Sequence, residues 1–147
     1  MKLLSAFLLL YFIGVEAREP TKRQEVFSLI DTHPTLKYKV WVKRQFVDES
    51  ANGKSELCTK HNNCFGMKYT PNGLADYKVT VKPYRGYAGY KSIKTGVADY
   101  SRLQTFWITK YRITTEAVYL TILDKKYPDT RIKQKETYTH KLSKITV

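Results

Sequence analysis

The stretch LKYKVWVKRQFV, Leu36 to Val47, decides how the rest of the chain is read. Its even positions are Leu36, Tyr38, Val40, Val42, Arg44 and Phe46, and its odd positions are Lys37, Lys39, Trp41, Lys43 and Gln45. Side chains alternate across a strand, so this order reads as an apolar face backed by a mostly cationic one. Arg44 interrupts the apolar face. A guanidinium directed into an apolar interior needs a partner, either a carboxylate of the protein or an anionic group on a bound ligand.

Downstream segments take the same period of two. Phe65, Met67 and Tyr69 alternate with Gly66 and Lys68; Tyr77, Val79 and Val81 stand opposite Lys78, Thr80 and Lys82. TFWITKYRI, from Thr105, holds Trp107, Tyr111 and Ile113 in register, and EAVYLTIL, from Glu116, is apolar on both faces, as in a strand covered on both sides. The segment from Arg131 to Val147 supplies a last strand or two. Turn signals separate the strands: ESANGK around Asn52-Gly53, then Pro71-Asn72-Gly73, then Tyr127-Pro128-Asp129. Arg85 to Gly96 reads as a loop or twisted edge.

Upstream, Thr21 followed by Gln24 has the form of a capping box. Val26, Phe27, Leu29 and Ile30 then recur at helical spacing until His33-Pro34 stops them. One short helix is expected over 22–31. The sum is a mainly β fold, an antiparallel up-and-down barrel with a short N-terminal helix, closed around room for one small ligand.

Residues 1–17 read as a secretory signal peptide: Lys2, the apolar run from Leu3 to Val15, and small residues at Val15-Glu16-Ala17. The run is short for a membrane span and no second one follows, so residues 18–147 are expected as a single secreted β-barrel domain. The formal charge of +13 is spread along the chain. It gives either a solvated basic surface or attraction to glycosaminoglycans and anionic membranes; export disfavours nucleic acid. Cys58 and Cys64, the two cysteines, favour a disulfide in an exported chain.

No nucleophile elbow, phosphate-cradling glycine loop or H-E-x-x-H motif is present. His33, His61 and His140 fall in a turn, the cysteine loop and a terminal strand. No catalysis, metal or cofactor is therefore expected. The tyrosines suit a pocket wall that combines apolar area with a hydroxyl. Tyr38, Val42, Arg44, Phe46, Tyr77, Trp107 and Tyr119 are the candidate ligand-binding residues, with Asp76, Asp99 and Glu116 as partners for Arg44 or for a cationic amine.

The helix, the strand with Tyr38, Arg44 and Phe46, and the following Cys58 resemble the salivary lipocalins of ticks over Val26 to Cys58; AVYLTILD, from Ala117, echoes the late strand of that family. The resemblance implies a histamine-binding-protein-like barrel in saliva that sequesters a small hydrophobic or amphipathic host mediator, either a biogenic amine or an anionic lipid. Arg44 favours the lipid. The alternative is a basic secreted protein that binds glycosaminoglycans or anionic membranes through its lysine face without a pocket. Cystatin-like inhibitors share the helix-and-sheet order, but their Q-x-V-x-G is missing here.

Overall fold

A computed structural model of the chain describes residues 19–126 and 137–147. The signal-peptide reading of 1–17, the turn at Tyr127-Pro128-Asp129 and the start of the expected last strand at Arg131 lie outside the described residues.

The chain is helical where a barrel was expected. Its described elements run α1 (Lys22–Thr32), α2 (Lys39–Glu49), α3 (Glu56–His61), β1 (Tyr77–Lys78), β2 (Ala88–Gly89), α4 (Ile93–Lys110), α5 (Glu116–Lys126) and α6 (Tyr138–Ser143). The two strands pair antiparallel, Tyr77 with Gly89 and Lys78 with Ala88, and form the one sheet among the described residues. They close no barrel, and the lipocalin architecture is excluded. No described helix is long and apolar enough to cross a membrane.

Helix α1 follows its sequence signal. Thr21 Oγ1 accepts from the Gln24 amide, and Gln24 Oε1 accepts in turn from the Thr21 amide at 2.8 Å. Its Val26 and Ile30, one turn apart, are fully buried.

Helix α2 is the stretch that alternation assigned to a strand. Two positions separate the readings. A strand puts Val40 inside and Gln45 outside, whereas Val40 is 52% exposed and Gln45 is 1% exposed. The buried set, Val42, Gln45 and Phe46, has the three-and-four spacing of a helix face. The preference of valines and aromatics for strands is weak beside burial of Val42 and Phe46 against Val26 and Ile30. The Asn52-Gly53 turn is real but joins two helices: Ala51, Asn52 and Gly53 take successive positive φ values of 49°, 58° and 83°.

Helix α4 was divided by the sequence reading into a loop and a strand. Ile93, Val97, Tyr100, Gln104 and Trp107 are its buried stripe. Gly96, read from the sequence as the end of a loop, lies inside the helix and serves close approach, since a Cβ there would lie 2.6 Å from the Asn62 carbonyl oxygen. Helix α5 was expected as a strand covered on both sides; it buries Tyr119 and Leu123 at i, i+4 and leaves Val118 exposed. Helix α6 likewise buries Tyr138 and Leu142.

Two apolar clusters hold these helices. The first joins α1, α2 and the front of α4 with Cys58, Cys64 and Phe65; the second joins the end of α4 with α5 and α6. Helix α4 runs through both.

Candidate active site

Three features of the chain converge at the end of α2. Its last residue, Glu49, is partly buried, and Tyr138 and Gly66 meet it from elsewhere in the chain. The hydroxyl of Tyr138, on α6, donates to Glu49 Oε1 at 2.9 Å. Gly66 lies against the other oxygen, so that a Cβ added there would come within 3.3 Å of Glu49 Oε2. Gly66 has a φ of +62°, which also favours glycine. Neighbouring Asp48 is occupied by Lys141 Nζ at 2.8 Å, a second tie between α2 and α6.

The turn that carries Gly66 is held by side chains the sequence places just ahead of it. The disulfide expected from the two cysteines is present, Cys58 to Cys64, and fastens the turn to α3. Asn63, 2% exposed, donates to the carbonyls of Met67 and Ala88 at 2.8 Å each and accepts from the Met67 amide at 2.9 Å. Phe65 stacks on Tyr100 with ring centroids 4.3 Å apart. The backbone at 64–67 is thus pinned from three sides beside a carboxylate.

From Gly66 a cleft of about 1150 Å³ runs along α4, lined among others by Met67, Lys68, Leu74, Asp99, Phe106 and Trp107. Its sides are tied to that helix. The Leu74 amide donates to Asp99 Oδ1 at 3.0 Å, Arg102 donates to the Asn72 carbonyl at 2.7 Å, and Thr35 pairs with Ser101 at 2.7 Å. Asp99 is buried and fully engaged, because Arg102 Nη1 also meets Oδ1 and the Tyr90 hydroxyl donates to Oδ2 at 2.9 Å. Burial and the adjacent Asp99 charge push the Tyr90 phenol far above its ordinary range. Asp99 is therefore a structural clasp. His33, at the cleft wall, is held below the usual histidine range by partial burial and then by the Lys39 charge.

Residues 41–146 match the family model for glucosaminidase, described as mannosyl-glycoprotein endo-beta-N-acetylglucosaminidase. The chain belongs to the glucosaminidase family. No curated protein and no solved structure matches it. Glycosidase chemistry replaces three expectations at once. A chain that catalyses nothing, a barrel that sequesters a biogenic amine or lipid mediator, and a pocketless surface for glycosaminoglycans or membranes are all overturned by family membership, and the tick salivary lipocalin resemblance falls with them. The partner of a glucosaminidase is a glycan, not a small hydrophobic or amphipathic ligand.

The residues expected to line a ligand pocket are dispersed. Tyr38 caps α2 and stacks on Tyr119 at 4.4 Å; Val42, Phe46 and Tyr119 are fully buried; Tyr77 is half exposed on β1 beside His61. Arg44 does not enter an apolar interior. It donates to the Ile145 carbonyl at 3.1 Å and lies over the Trp41 ring, while Glu116 accepts instead from Trp41 Nε1. Of the seven, Trp107 alone lines the cleft. Glu49 went unmarked because it fell in an expected hairpin turn. Read at helical spacing, the buried face Val42, Gln45, Phe46 continues to Glu49, and a carboxylate ending an apolar face is the signal that finds it.

Proposed function

We propose that the chain hydrolyses β-linked N-acetylglucosaminyl bonds of a polymeric glycan, with Glu49 as the general acid. The observation that carries this is the Glu49 carboxyl itself, set between the Tyr138 hydroxyl and the bare backbone of Gly66, a glycine that lines the cleft. The proton passes from Glu49 to the glycosidic oxygen as its bond to the anomeric carbon breaks. The carboxylate so formed takes a proton back from the water that adds to that carbon. Gly66 leaves room for the bond to reach the acid, and Tyr138 fixes the carboxyl in one orientation.

Bacterial cell-wall glycan is the polymer this reading favours. It carries the β-N-acetylglucosaminyl linkage, and a net charge of +13 raises the local concentration of an anionic wall around the protein. Export by residues 1–17 belongs to the same proposal, since the substrate lies outside the producing cell. The test is reducing-end release from peptidoglycan, from an N-acetylglucosamine homopolymer and from a mannosyl glycopeptide. Glu49→Gln should lower release by about 10²- to 10⁴-fold with its helical circular dichroism intact. A folded Glu49→Gln variant with wild-type rates would sink the assignment.

A further inference from the structure

The ionisable side chains that line the cleft are His33, Lys68, Asp99, Arg102 and Lys126. Three of them carry a fixed positive charge and one a negative charge. Asp99 has nothing left for a ligand, because the Leu74 amide, Arg102 and the Tyr90 hydroxyl take up both of its oxygens. Arg102 is engaged by Asp99 and by the Asn72 carbonyl. Lys126 lies over the Tyr111 ring, 5.2 Å from its centroid.

Lys68 is different. It is exposed, and the ion pairs among the described residues use Lys43, Lys60, Lys91, Arg102 and Lys141 but not Lys68. Its backbone is nevertheless fixed. Lys68 faces Tyr87 in an antiparallel bridge, with the Ala88 amide donating to the Met67 carbonyl at 2.9 Å and the Tyr69 amide to the Gly86 carbonyl at 3.0 Å. Its Nζ rests 3.3 Å from the centroid of the Tyr87 ring. An aromatic face holds an ammonium without neutralising it. Three N–H donors radiate from that nitrogen, so one ring cannot satisfy them all. A cation held in place in a cleft, with no carboxylate of its own, is the local complement of an anion on the ligand.

We propose that Lys68 makes the cleft selective for an acidic glycan, by pairing its ammonium with a carboxylate of the substrate. The inference rests on the reading of the cleft as a glycan site. The carboxylate can belong to an acidic substituent on a sugar or to a peptide attached to it; an N-acetylglucosamine homopolymer has neither. Lys68 sets specificity and has no part in bond breaking.

The experiment follows hydrolysis of peptidoglycan glycan with its carboxylates free and with them blocked as amides, and repeats the free form with the peptides removed. Wild-type protein should prefer the free form, and the preference should shrink as salt rises. Lys68→Gln should lower kcat/KM on the free form about fivefold, the upper end for an exposed ion pair, mostly through KM. It should leave the blocked form unchanged, and Lys68→Arg should restore the preference. Lys94→Gln removes the same charge from an exposed position of α4 outside the cleft lining and should behave as wild type. A loss that persists without peptides assigns the carboxylate to the sugar; one that disappears assigns it to the peptide. Equal wild-type rates on free and blocked glycan, an equal Lys68→Gln loss on both, or an equal loss from Lys94→Gln overturns the role of Lys68 and leaves Glu49 standing. Wild-type protein that cleaves neither form overturns the glycosidase reading and this one with it.

Discussion

The two apolar clusters that share α4 differ in kind. In the first, Val26, Ile30, Val42, Phe46, Cys58 and Tyr100 are all at 0% exposure, and a disulfide and a stacked Phe65–Tyr100 pair close the packing. In the second, six buried residues are ringed by partly exposed ones, among them Tyr38, Trp41, Tyr111 and Ile145. Among the described residues the second leans more on partly buried side chains than the first. Glu49, the proposed acid, ends α2 in the first half and is met by a hydroxyl from the second, on α6. Placing it at the seam lets a rigid element carry the carboxyl while a separate one orients it.

Polar groups stitch that seam. Gln45 Oε1 accepts from the Tyr100 hydroxyl and, at 3.4 Å, from that of Tyr119, and Gln104 Nε2 donates to Tyr119 at 3.2 Å and to the Lys37 carbonyl at 2.9 Å. Burial raises the Tyr119 phenol above its ordinary range, against the lowering effect of its bonds to Tyr100 and Gln104. Gln45 Nε2 is buried without a hydrogen-bond partner among the described residues. A partly satisfied buried network stabilises less than a fully satisfied one.

The largest expected effect contrasts the two interiors directly. Phe46→Ala empties a site walled by buried neighbours and should cost about 3–5 kcal/mol. Leu123→Ala, although also at 0% exposure, has partly exposed neighbours able to relax into the space and should cost nearer 2 kcal/mol. Urea unfolding of both variants measures this. A larger loss for Leu123→Ala would mean that the second cluster is the tighter one, and the contrast would have to be reversed.

A smaller effect belongs to the disulfide, which lies wholly in the first half. Closing so short a loop contributes about 2 kcal/mol, so the Cys58→Ser, Cys64→Ser double variant should unfold at lower urea. Its hydrolysis should drop by more than stability alone explains, because Gly66 is two residues from Cys64 and loses one of its fixings beside Glu49. Retained activity in the folded, bridge-free protein would show that Asn63 and the Phe65–Tyr100 stack suffice.

What could be read from the chain follows the same division. The capping box of α1 is local chemistry, complete within four residues, and the cysteine pair needed only the expectation of export. Turns at Asn52-Gly53 and Pro71-Asn72-Gly73 were visible because positive φ and the 3.0 Å bond from Gly73 to the Thr70 carbonyl are set by the residues themselves. The helices α2, α4 and α5 were not legible as helices. Valine, tyrosine and isoleucine at alternate positions satisfy a strand and a helix face equally over a short run, and the neighbour that decides between them is distant in sequence. For α2 that neighbour is α1; for Gly96 it is the Asn62 carbonyl. The site was lost with α2, since Glu49 and Tyr138 are 89 residues apart and meet only once both helices exist.

The smallest expected change in stability falls on the contact that joins the halves. Tyr138→Phe keeps the ring in the second cluster and removes one hydrogen bond to Glu49, which is worth about 1 kcal/mol. If the bond only fastens α6 to α2, activity should follow stability and stay near wild type at a temperature where the protein is folded. If it orients the acid, kcat should fall about tenfold with KM unchanged. A variant whose kcat matches wild type would leave Glu49 the property of the first cluster alone, and the second would serve only to cover it.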